Sequence, residues 1–405
     1  MQNQLNTLLY ESVSSARIRE AEAFDKMAGA GKNRIILFGS GELGRRTFAG
    51  LKKLRINIIG YTDNKKELWG TEIDGVKVFS PEEAVKKFPT AVFVLTIWSA
   101  YIGHPLKEAQ IQLNAIGKAN VISFIYLYWK YPETFLPFWR LDLPHKTINQ
   151  CELVAAAYSL WSDKQSQEEY LGQINWRITG DSSKLTPPVK HDQYFPEDIF
   201  KVNSDEVFVD IGAFDGDTLK TFLEKSSKKF EHYYAFEPDP FGYIKLREYV
   251  ATLPEGLNKK IDIKPIGIGS HAEKISIETP GVYFKILYPV EAADHAGKNV
   301  SGYATVDSMS IDELTFNKIP TLIKMDVEGF EPNIIFGALK FIKRYKPIIA
   351  FSIYHKFDHL WKLPLVVHAI SSDYNYYLRP HFHAGWELIC YAVPKHRLNN
   401  TLIIK

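Results

Sequence analysis

The sequence predicts an α/β protein built on two parallel sheets, and three observations predict it. The run Val207 to Ile211 is almost wholly apolar, as a strand buried on both faces must be, and it stops in a glycine loop that opens a helix. A second strand, loop and helix is written in RIILFGSGELGRRTFAGL, Arg34 to Leu51. Around both, short apolar strands alternate with helical segments, the pattern of βαβ units.

Composition bounds what this fold can serve. At 405 residues the chain holds two or three ordinary domains, and 45% hydrophobic with 24% charged residues is a usual globular balance. A formal net charge of +2 gives no electrostatic case for nucleic acid or an anionic membrane. The two cysteines, Cys151 and Cys390, lie far apart and suggest neither a disulfide framework nor a zinc motif. No segment reads as a signal peptide or a membrane span, so the expected setting is cytoplasmic. A homo-oligomer is left open.

In chain order, residues 1–30 read as an amphipathic helix, with Leu5, Leu8, Leu9, Val13 and Ile18 near helical spacing. Gly39, Gly41 and Gly44 then keep the G-x-G-x-x-G spacing, and Asp63 follows the next strand, Asn57 to Tyr61, where an acid would hold a ribose. Arg45 and Arg46 just inside the helix suit a phosphate. Further strands are expected at Val76 to Phe79, Ala91 to Thr96 and Val121 to Phe124. Ser80 caps a helix that has Pro81 in its first turn, and another helix starts at Pro105. This gives a Rossmann-like domain over 31–127 that could hold a nucleotide or nucleotide-sugar.

Residues 128–200 read as an aromatic linker and a helical lid region. The run FIYLYWKYPETFLPFW, Phe124 to Trp139, suits a domain interface, with sugar stacking as the alternative. Two helices follow over Thr147 to Arg177. Tyr194 and Phe195 either close over a ligand or anchor a core.

The domain over 201–405 begins with the loop Gly212, Ala213 and Gly216, after which Asp217 and Thr218 open a helix reaching about Lys225. Asp210, Asp215 and Asp217 surround this loop with negative charge. A pyrophosphate would be repelled there, whereas S-adenosylmethionine carries an ammonium and a sulfonium. Glu237, about twenty residues on, stands where an acid bonds ribose hydroxyls, and Gly267 opens a loop, GIGSH, where an adenine would lie. The cations of KSSKK, Lys225 to Lys229, fit a solvated helix end. Residues 273–312 read as short β pieces with a loop, AADHAGKNVSGY, suited to substrate specificity. Strands near Val207, Tyr233, Ile263, Leu322, Ile348, Tyr377 and Ile389, the last two joined as a hairpin, make the seven-stranded class I methyltransferase arrangement.

Five motifs in this order, VDIGAFDGDT, AFEPDP, MSIDEL, TLIKMDVEGFE and SIYHKFDHLWKLP, resemble the FkbM family of S-adenosylmethionine-dependent O-methyltransferases over about Tyr194 to Val393. The resemblance implies methyl transfer to a hydroxyl of a sugar or natural product. It implies that Asp210, Gly212, Asp217 and Thr218 hold the methionine part, that Glu237 holds the ribose, and that Asp326, Glu328 and His355 border the reacting centre. FGSGELG and GYTDN in the first domain look similar to accessory domains of nucleotide-sugar enzymes.

An acceptor hydroxyl must be aligned about 3 Å from the methyl and deprotonated as the bond forms. His355 is the first candidate base because a histidine titrates near neutrality, Asp326 is the second, and Glu328 either orders the loop or takes part. Asp326, Glu328 and His355, or His381 and His383 with Glu387, supply ligand types for a divalent metal, but no defined metal spacing is met, and none is expected to be needed. Two other readings stay open: a nicotinamide-dependent sugar oxidoreductase using the first glycine loop, and a non-catalytic scaffold.

Overall fold

The computed structural model describes residues 2–278, 286–289 and 303–398. It divides into two compact units. One holds the residues up to Ala155 with Glu168–Pro188 and Phe382–Trp386, and the other holds Ala156–Gln167, Val189–His381 and the residues from Glu387 onward. This division differs from the sequence division in the middle of the chain. The aromatic run belongs wholly to the first unit, and the helix Lys164–Thr179 is shared between the two.

The first unit carries β1 (Ile35–Phe38), β2 (Ile58–Thr62), β3 (Glu72–Ile73), β4 (Val76–Phe79), β5 (Val92–Leu95) and β6 (Asn120–Ser123) in the order β3-β4-β2-β1-β5-β6. All pairings are parallel except β3 with β4. Alternation along β1 sends Ile35 and Leu37 into one apolar cluster and Ile36 and Phe38 into another, so both faces are covered. Ser80 caps the helix Pro81–Lys87 by accepting from the Glu83 N–H, as its position predicts.

Two expectations change here. The N-terminal segment forms two helices, Gln2–Leu9 and Val13–Ala28, because Ser12 takes an extended backbone and caps the second. That second helix buries Ala16, Glu20, Phe24 and Ala28, while Ile18 is exposed. The buried Glu20 explains the shifted face, since its carboxylate meets the His145 ring at 2.8 Å. The aromatic run, expected at an interface, is core: Phe124, Tyr128, Trp129 and Phe135 lie in the first unit's larger cluster, with Tyr128 stacked on Phe135 at 4.3 Å.

The second unit carries β7 (Val207–Ile211), β8 (His232–Phe236), β9 (Ile261–Lys264), β10 (Gly267–Ile268), β11 (Glu273–Glu278), β12 (Ile286–Pro289), β13 (Tyr303–Met309), β14 (Leu322–Met325), β15 (Ile348–Ser352), β16 (Tyr374–Pro380) and β17 (Leu388–Pro394). Seven of them form one sheet, ordered β16-β17-β15-β14-β7-β8-β9, in which β17 runs antiparallel to both neighbours. The remaining four make a second sheet, β10-β13-β11-β12. The loop expected over 292–303 falls almost wholly outside the described residues. In the large sheet the order reverses at β7, which pairs with β8 on one side and β14 on the other. A crevice outside the strand ends at such a reversal is where open α/β sheets take ligands.

Candidate active site

The second unit's glycine loop leaves β7 with Gly212 at φ +78, and a Cβ there would lie 2.2 Å from the Asp326 carbonyl oxygen. Only glycine lets β7 and the end of β14 approach so closely. The helix Asp217–Lys225 then starts from Gly216, also left-handed, and the exposed Asp217 accepts from the Thr218 N–H at 2.6 Å. Ala213 is buried, its N–H donating to the Phe236 carbonyl.

Asp210 is fully buried. Its carboxylate lies 2.9 Å from the Lys324 ammonium and accepts the Tyr233 hydroxyl at 2.5 Å, while Lys324 also donates to the Gly212 carbonyl at 2.5 Å. Burial raises its affinity for a proton, against the pull of Lys324 and Tyr233. Through Lys324 it is linked to the loop's Gly212 carbonyl.

Glu237 follows β8 as expected, and each of its oxygens accepts one bond from the loop region. Oε2 accepts from the Phe214 N–H at 2.6 Å and Oε1 from the Asp239 N–H at 2.8 Å. Burial pushes it up to about 7 despite those two bonds. The first unit repeats the device. Asp63 accepts from the Ser40 N–H at 2.8 Å, the Ser40 hydroxyl at 2.7 Å and the Lys65 N–H at 3.0 Å, and so braces the loop of Gly39, Gly41 and Gly44. Arg45 and Arg46 line a cavity of about 460 Å³ with Phe48, Lys52 and Asp74.

Gly267 is placed otherwise than expected. It belongs to β10 of the small sheet, and a Cβ on it would meet the Ile275 side chain at 2.6 Å. Close packing between strands accounts for this glycine.

Beyond the ends of β14 and β15 lies a dense group of ionisable side chains. Asp326 accepts the Tyr194 hydroxyl at 2.7 Å through Oδ2, and its Oδ1 stands 3.4 Å from His355 Nε2. Glu328 Oε2 stands 3.7 Å from the same nitrogen. On the other side of the ring, Nδ1 meets Glu331 Oε1 at 2.7 Å, and Glu331 Oε2 is 3.3 Å from His359 Nδ1. Burial opposes the charge on His355, yet Glu331, Glu328 and Asp326 raise it to about 10. Its main partner shows the reciprocal effect: burial would raise Glu331, but His355 and His359 hold it well below the carboxylate range. Burial lifts Glu328 to about 7, with Asp326, Glu331 and Glu387 adding and His355 opposing.

A second chain of bonds joins this group. Gln193 Nε2 donates to the Tyr194 hydroxyl at 3.0 Å and to Glu387 Oε2 at 2.5 Å, and the Tyr354 hydroxyl donates to Glu387 Oε1 at 2.9 Å. Phe195, by contrast, is plain core.

Asp326, Glu328 and His355 thus come together as the sequence suggests, while Glu331, Gln193 and Tyr354 were not singled out. Glu331 was legible only as an acid in a helix's first turn. Asp326, Glu331 and His355 place one donor atom each within 4.8 Å of the others, a spacing that the histidine's ion pairs account for. Of the other metal candidate, His381 Nε2 meets the Tyr391 hydroxyl at 2.7 Å.

Comparison with known proteins bears on this geometry. Residues 210–378 match the family described as Methyltransferase FkbM domain, and residues 31–96 match C2185-like, N-terminal. No curated protein matches the sequence. Among solved structures, methyltransferase FkbM from Methylobacillus flagellatus KT superposes with a TM-score of 0.74 at 20% identity, covering 94% of this chain and 99% of that one. A putative rRNA-methylase from Clostridium thermocellum aligns over 48% of this chain and 88% of its own, at 11% identity and a TM-score of 0.31. The reversal at β7 and the antiparallel β17 of the large sheet agree with the family match, which identifies residues 210–378 as an FkbM methyltransferase domain.

Proposed function

We propose that the second unit moves the methyl group of S-adenosylmethionine to a hydroxyl of a carbohydrate, glycoconjugate precursor or natural product. The observation that carries this reading is the contact of the glycine loop with Asp326, which sets the acid group directly beside the cofactor loop. The residues suit that cofactor. Lys324 is neutralised by Asp210, and Asp217, Asp215 and Glu237 leave the loop acidic, matched to an ammonium and a sulfonium rather than to phosphates.

When bound, S-adenosylmethionine supplies an electrophilic methyl. The chain's own part is to orient the acceptor oxygen in line with the C–S bond, keep water out and take the hydroxyl proton as the O–C bond forms. Glu331, Glu328 and Asp326 favour the protonated form of His355, our first candidate base, and this opposes its taking the proton. We assign it the holding of Asp326 and Glu328 in place, and assign the proton to a carboxylate of the group. The acidic surroundings disfavour acceptors that carry a carboxylate or phosphate next to the reacting hydroxyl. The first unit's loop is proposed to hold a nucleotide or nucleotide-sugar. Among the described residues no helix is long and apolar enough to cross a membrane.

Calorimetric titration with S-adenosylhomocysteine tests the main reading. Saturable binding near one site per chain is expected, and binding of NAD without it would move the function to the first glycine loop.

A further inference from the structure

We infer that Glu387 is the carboxylate that takes the acceptor's proton, an inference that rests on the methyl-transfer reading above. Glu387 immediately precedes β17, the reversed strand of the large sheet, with its backbone at φ +48. Glu328 of the same group is left-handed too, at φ +55, and such positions gather at functional sites. What the conformation achieves is placement. The carboxylate is fixed by Tyr354 on one oxygen and Gln193 on the other, both neutral donors, and each oxygen keeps a second lone pair for an acceptor hydroxyl.

Its rivals are less free. Asp326 and Glu328 stand 3.4 and 3.7 Å from His355 Nε2 and are engaged with a cation, whereas the two donors that hold Glu387 are neutral. Glu331 is turned to both histidines. The ionisable groups around Glu387 are Asp326, Glu328, His355, Tyr194 and Tyr354, and burial together with Asp326 raises it to about 7 against the opposing effects of Tyr354, His355 and Gln193. Glu328, lifted to about 7 as well, is matched to neutral pH equally, so it is the neutral donors around Glu387 that separate the two. Gln193 also ties Glu387 to Asp326 through the Tyr194 hydroxyl, so two carboxylates are linked through one amide and one phenol.

In the step itself, an oxygen lone pair forms the O–C bond while the C–S pair returns to sulfur. The hydroxyl proton passes to Glu387, leaving a neutral thioether, a methyl ether and a carboxylic acid that later releases its proton to water.

Sinefungin tests the assignment without knowledge of the acceptor, because it carries an amine-bearing carbon where the cofactor has its methylsulfonium. Its ammonium reports on a carboxylate facing the transferred group. Wild-type protein is expected to prefer sinefungin to S-adenosylhomocysteine, by a margin that widens as pH rises through about 7. Glu387→Gln is expected to shrink the margin on the order of tenfold with S-adenosylhomocysteine affinity unchanged, and Glu387→Asp to keep part of it. An unchanged margin in Glu387→Gln, or its loss in Glu328→Gln alone, overturns the inference. Failure of wild-type protein to bind S-adenosylhomocysteine overturns the methyl-transfer reading beneath it.

Discussion

The ionised state of His355 has a consequence for stability that single substitutions expose. Its folded-state affinity for a proton is raised from 6.5 to about 10, so the ion pairs contribute fully below about 6.5 and are lost as pH rises towards 10. Glu331 works in the opposite window. Held low in the folded state, it contributes above the ordinary carboxylate range and loses its contribution as pH falls. We expect His355→Ala to cost about 3–5 kcal/mol, because it strands the buried Glu331 charge. Denaturant titration across pH checks this: the fall in stability between about 6.5 and 10 should flatten in His355→Ala, and an unaltered slope would refute the charged assignment.

At the scale of elements, the approach of β7 to β14 is set by Gly212. Gly212→Ala would place a methyl 2.2 Å from the Asp326 carbonyl oxygen, in a backbone conformation that alanine resists. The loop and Asp326 would have to part, and Asp326 is tied to Tyr194 and His355. Expected outcomes are a loss of S-adenosylhomocysteine binding of at least about tenfold and a lower melting temperature. Retained affinity would show that the contact is not what joins loop and acid group. At the same scale Asp210 ties three strands together, bonding Lys324 of β14 and Tyr233 of β8 from its place at the end of β7.

At the scale of the whole molecule, each unit has its own glycine loop braced by its own acid, Asp63 in the first and Glu237 in the second. Similar construction predicts separable effects. Glu237→Ala should weaken S-adenosylhomocysteine binding several-fold, since it frees the Phe214 and Asp239 N–H groups and loosens the loop. Asp63→Ala should leave that affinity unchanged while altering any binding of NAD or a UDP-sugar. Calorimetry on both variants decides the matter, and equal effects on S-adenosylhomocysteine would contradict a division of labour between the units.

Much of this protein was determined by its sequence alone. Apolar runs ending in glycine located β1 and β7, the Ser80-Pro81 pair fixed a helix start, and seven apolar strands with a closing hairpin gave the large sheet, because these features depend on local backbone chemistry and alternation. Asp326, Glu328 and His355 were legible for the same reason, following the ends of β14 and β15 within three residues. What only the tertiary structure decided was charge and company. The protonation of His355 depends on Glu331, 24 residues away, and the placing of Glu387 depends on Gln193, 194 residues away. Likewise the aromatic run became core, and Gly267 a packing glycine, because partners such as Ile275 arrive from elsewhere in the chain. Spacing fixes which way a side chain points, but the energy of a buried charge depends on neighbours that folding alone brings into contact.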